Sequence, residues 1–94
     1  MMEKNTWGFQ FVRINEQADG FDTLLALNIG GEQKTRKIFD EMSREFGAVK
    51  GGPGGPEYLI DLLDDEDSII DDIAITKEEA IKIAAKLGHE LIIN

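Results

Sequence analysis

Six carboxylates crowd the short stretch from Asp64 to Asp72: Asp64, Asp65, Glu66, Asp67, Asp71 and Asp72. Carboxylate oxygens are the hard donors that Ca²⁺ and Mg²⁺ prefer, and two carboxyl groups held in unlike environments can also perform general acid-base catalysis. The spacing here supports neither. A calcium loop of the EF-hand type alternates its acids, with Gly at the sixth position and a chelating Glu at the twelfth. In this chain Ile69 and Ile70 interrupt the run and no glycine falls inside it. Adjacent aspartates in a turn are solvated, so none is set apart by burial as a raised-pKa acid. What remains is electrostatic chemistry, in which a field of one sign steers and selects a positively charged partner.

The field is local. Nineteen acids face ten bases, for a net charge of -9, and eight of the acids lie in residues 51–76, which contain no Lys, Arg or His. The remainder is therefore close to neutral, at eleven acids against ten bases. The residues expected to meet a partner are Asp61, Asp64, Asp65, Glu66, Asp67, Asp71 and Asp72. Asp61 and Asp71 stand out among them, because each interrupts an apolar strand pattern and is a candidate for partial burial. The commoner position for such a residue is the solvated face of an edge strand.

Other residue types exclude whole classes of chemistry. Without cysteine there is no disulfide framework, thiolate metal site or Cys nucleophile. His89 is the only histidine, and no triad or usual zinc site assembles around it. The glycine-rich residues 50–56 lack the Gly-Lys-Ser/Thr ending of a phosphate loop and lead into an acidic segment that repels phosphate. Lys34, Arg36, Lys37 and Arg44 are interleaved with Glu32, Asp40, Glu41 and Glu45, the pattern of a solvated helix face laced with ion pairs. Direct nucleic-acid binding is not expected, since the net charge repels a duplex. No cofactor, metal or catalytic residue is assigned. No apolar run approaches the roughly 20 residues of a membrane helix, and residues 1–5 show no secretion signal, so a cytoplasmic protein is expected.

The elements that carry these residues follow from periodicity. Trp7, Phe9 and Phe11 alternate with Gly8, Gln10 and Val12, the period-2 signature of a strand with an apolar face, which is expected to bury Trp7 in the core. Asp19-Gly20 is a turn dipeptide, and Phe21, Thr23, Leu25, Leu27 and Ile29 then alternate again, completing a hairpin. Ile38, Phe39, Met42 and Phe46 recur at helical spacing over residues 32–46, with Gly47 as the expected C-terminal cap. Residues 50–56 read as a loop, residues 58–63 as a strand, Asp64 to Asp67 as a turn, and residues 68–75 as a strand with Ile69, Ile73 and Ile75 on one face. Thr76-Lys77-Glu78-Glu79 is a capping box that opens a second helix with a stripe of Ala80, Ile81, Ile83, Ala84 and Leu87, and Gly88 ends it. Leu91-Ile92-Ile93 reads as a last short strand.

The expectation is one domain over residues 1–94 in the α+β class. It is a two-layer sandwich of order ββαββαβ, with two helices on one face of a mainly antiparallel sheet of about five strands. In size, charge and lack of enzymatic motifs the chain resembles small acidic immunity proteins and antitoxins paired with bacterial nuclease toxins, a likeness of class that carries no motif. It implies a non-enzymatic inhibitor that neutralises a basic protein partner such as a nuclease toxin. The alternatives are a small enzymatic or ligand-binding domain using Asp61, Asp71, Tyr58 or His89, and a homo-oligomeric structural or regulatory module pairing through residues 91–93.

Overall fold

The computed structural model describes residues 6–15, 20–46 and 57–93. Along the chain run β1 (Trp7–Asn15), β2 (Gly20–Gly30), α1 (Glu32–Phe46), β3 (Tyr58–Leu63), β4 (Ile69–Ile75) and α2 (Lys77–Lys86). The four strands form one antiparallel sheet in the order β2-β1-β3-β4, so β1 and β3 are interior and β2 and β4 are edges.

Register explains which side chains are buried. Residues opposite one another in an antiparallel pair share a face. Phe9 is flanked by Leu27 and Leu62, and Phe11 by Leu25 and Ile60, giving one face its apolar rows. On this face lie Phe39, Met42 and Phe46 of α1 and Ala80, Ile83 and Ala84 of α2, all buried. The Phe9 and Phe39 rings meet at 6.1 Å between centroids. Complete burial of Phe9 and Phe11 is worth about 1.5–3 kcal/mol each. Trp7 sits half-buried at the margin of this core, with the Arg36 guanidinium 4.9 Å above its ring and Arg36 Nε 2.8 Å from Glu32 Oε2.

The local signals that end and begin helices act as expected. Thr76 Oγ1 accepts the Glu79 amide at 3.1 Å while Glu79 Oε1 accepts the Thr76 amide at 2.9 Å, so both halves of the capping box are present. After α2, Gly88 takes a φ of +85° and the His89 amide donates back to the Ala84 carbonyl at 2.9 Å. In α1 the buried Thr35 hydroxyl donates to the Gly31 carbonyl at 2.8 Å, so its burial leaves no orphaned polar group.

Four expectations are corrected. The described sheet has four strands rather than about five, and the order is ββαββα. Residues 91–93 form no strand: after the turn at Gly88, Leu91 plugs the core and Ile92 is left 73% exposed. Their apolar character reflects Leu91 and Ile93 packing against the core rather than a ladder, and no strand edge for self-pairing forms there. Ile69 does not share a face with Ile73 and Ile75. A register shift between Leu62 and Leu63 opposes Leu62 to Asp71 but Leu63 to Ile69, so Ile69 changes sides and is 57% exposed. Ile81 likewise lies outside the buried stripe of α2 at 38% exposure. The turn at residues 16–19, the cap at Gly47 and the glycine-rich loop lie outside the described residues.

Candidate functional site

The acidic residues divide into three structural groups. Asp64 begins the turn between β3 and β4. Its Oδ1 accepts the amides of Glu66 and Ser68 at 2.8 and 2.9 Å, and its own amide donates to the Ser68 carbonyl at 3.0 Å. Asp64 thus builds the turn, because a short carboxylate can bond its own downstream backbone. Asp65, Glu66 and Asp67 are carried outward by it and are exposed, with Asp67 in the left-handed region at φ +60°. Aspartate tolerates that conformation better than most residues.

Asp71 and Asp72 form the second group, on edge strand β4. Both are exposed. They point to opposite faces of the sheet, Asp71 opposite Leu62 on the helix side and Asp72 opposite Asp61 on the other. The Asp72 amide donates to Asp71 Oδ1 at 2.8 Å.

Asp61 stands alone as the third. It lies on interior strand β3 and only 4% of it is exposed. Its neighbours across the strands are Gln10 on β1 and Asp72 on β4, and Gln10 Nε2 donates to its Oδ2 at 3.1 Å. Burial pushes the Asp61 carboxyl above its ordinary pKa, the Gln10 bond pulls it back, and the negative charge of Asp72 raises it further. Asp61 is therefore not presented to a partner as the turn acids are.

Gln10 is the residue that sequence reasoning passed over. Its signal was a long amide in mid-strand between two phenylalanines, on the face opposite theirs. The face away from the helices carries Gly8, Gln10 and Val12 of β1 beside Leu59, Asp61 and Leu63 of β3, and Val12 and Leu63 are buried. An open depression of about 350 Å³ lies at one corner, lined by Gly8, Gln10, Asn28, Leu63 and Asp67. Another of about 220 Å³ lies between the helices beside Met42, Phe46 and Ile83, rimmed by Glu45 and Lys86, whose Oε1 and Nζ are 2.8 Å apart.

Negative charge is concentrated along β3, the turn and β4. Glu57, at the start of the acidic segment, pairs with Arg13 at 3.6 Å, an exposed ion pair worth little. From β3 through β4 no cation offsets Asp64, Asp65, Glu66, Asp67, Asp71 and Asp72 within the chain segment that bears them. The bases of α1, matched by as many acids on that helix, lie where it packs against β2 and β1, and Lys77, Lys82 and Lys86 are on α2, which packs against β3. His89 is exposed in the segment after α2. Among the described residues no three His, Cys, Asp or Glu side chains are placed to hold a metal ion together, and no helix is long and apolar enough to cross a membrane. Comparison with protein-family models, with curated proteins and with solved structures finds no match to this chain.

Proposed function

We propose that this chain is a small acidic protein-binding inhibitor, of the immunity or antitoxin kind, that neutralises a basic partner such as a nuclease toxin and catalyses no reaction itself. The observation that carries this reading is the gathering of carboxylates at one edge. Asp65, Glu66 and Asp67 on the turn and Asp71 and Asp72 on β4 are all exposed, and the outer side of β4 has no strand partner among the described residues.

Such an edge offers two kinds of recognition. Its charge accelerates encounter with a basic surface by steering. Its open backbone can accept an extended segment as an added strand, whose side chains would alternate between the faces marked by Asp71 and Asp72. A nuclease groove shaped for a phosphate row presents the matching cations. Asp64 serves this edge indirectly by building the turn, and Asp61 contributes no direct contact.

The test is retention of a basic protein by the immobilised chain at low salt, followed by association kinetics over a salt series. Asp65→Asn, Glu66→Gln, Asp71→Asn and Asp72→Asn combined should slow association about tenfold or more and flatten its salt dependence, in line with steered association, while the circular dichroism spectrum is unchanged. Unaltered kinetics in that variant would exclude the acidic edge as the binding surface.

A further inference from the structure

Among the described residues the strand order leaves two open edges of opposite chemistry. The β4 edge is strongly acidic. β2, at the other end of the sheet, runs for eleven residues with Asp22 as its one charged side chain. Phe21, Thr23, Ala26 and Asn28 are opposite Ile14, Val12, Gln10 and Gly8, so they share the face away from the helices, and all four are exposed, Phe21 at 68%. A long edge strand without lysine or proline is a template for another strand, because its outward N–H and C=O groups lack ladder partners. The register of β2 against β1 shifts at Leu24 and again at Ile29, which leaves Leu25 to Asn28 as an evenly paired stretch.

The charge distribution says by which edge two copies can meet. A chain of net charge -9 repels its own copy wherever two acidic edges meet. Pairing through β4 would set Asp71 and Asp72 of one copy against those of the other. β2 is three strands away from β4, about 14 Å at the usual strand spacing, which exceeds the screening length of about 8 Å at physiological salt. We propose that two copies of this chain pair antiparallel through β2, merging their sheets into one with an acidic edge at either end. The same strand supplies both halves of such a contact, which a two-fold axis closes. An axis normal to the sheet keeps every side chain on its own face, so Phe21, Thr23, Ala26 and Asn28 of both copies line one surface and the helices of both line the other. Each β4 edge stays open, so the pairing neither needs nor blocks the proposed inhibitor contact.

The experiment is sedimentation velocity on the intact chain from about 10 to 300 µM, the range in which a modest interface is populated, with amide hydrogen exchange at both ends of the range. The expected result is a rise toward twice the monomer mass, with slower exchange of β2 amides at the high concentration and unchanged exchange in β4. A chain that stays monomeric throughout, or a dimer whose added protection falls on β4 or the helices, overturns the proposal. Ala26→Lys should return the chain to monomer with its circular dichroism intact, whereas Ile70→Lys should leave the dimer unchanged; the reverse pattern overturns it. If Ala26→Lys fails to fold, the exchange measurement on the unaltered chain decides by itself.

Discussion

Asp61 and Asp72 oppose one another across β3 and β4, one almost wholly buried and the other exposed, with the Gln10 amide 3.1 Å from the buried carboxyl. The Gln10 bond explains how an acidic sheet tolerates a carboxyl at its centre. Gln10 supplies a donor, and the proton is held more tightly than in the unfolded chain.

That difference fixes a pH dependence. The folded-state pKa of Asp61 is raised, by burial first, against the Gln10 bond and with help from Asp72. Below about pH 4, the ordinary carboxylate value, Asp61 is protonated folded or unfolded and imposes no penalty. As pH rises through the folded pKa, ionisation is opposed in the fold and stability is lost. Asp61→Asn is therefore expected to melt higher than the parent at pH 7, with the gap closing toward pH 3. Thermal unfolding at both pH values checks this, and a lower melting point for the variant at pH 7 would mean that the carboxylate is net favourable where it stands.

Gly8 is expected to tolerate no side chain. A Cβ there would run into the Leu27 carbonyl oxygen at the register shift between Trp7 and Gly8, and a backbone atom of a neighbouring strand cannot move aside cheaply. Gly8→Ala should cost about 1–3 kcal/mol, the usual range for overpacking, read as a lower urea midpoint.

At the start of α2, Thr76→Ala removes the acceptor for the Glu79 amide. The expected loss is about 1 kcal/mol, measured by denaturant unfolding. Thr76→Ser should retain most of the stability, since the hydroxyl remains.

The turn acids should separate by role. Asp64→Ala removes the acceptor of two backbone amides and is expected to cost about 1–2 kcal/mol, on the scale of lost hydrogen bonds. Asp65→Asn and Glu66→Gln touch exposed side chains and should stay within about 0.5 kcal/mol of the parent. Equal effects at all three positions would refute the assignment of Asp64 as the builder of the turn.

Much of this architecture was legible in the chain itself, because its causes are local. Alternation around Phe9 and Phe11 marks a strand over any few residues, helical spacing marks α1 with its observed bounds, and Thr76 with Glu79 writes a helix start in four positions. The uneven placement of charge is likewise a property of composition along the chain. Tertiary structure decided the rest. Asp61 and Asp71 read alike, as acids interrupting an apolar strand, until β3 is paired between β1 and β4, which buries Asp61 against Gln10 from 51 residues away and leaves Asp71 exposed on the edge. Ile69 looks in phase with Ile73 until a one-residue register shift moves it to the other face, and residues 91–93 look like a strand but pair with none, Leu91 and Ile93 packing against the core instead. Local pattern determines which residues can form an element. Burial, and the pKa of a carboxyl with it, depends on which distant strand lies alongside, which only long-range packing sets.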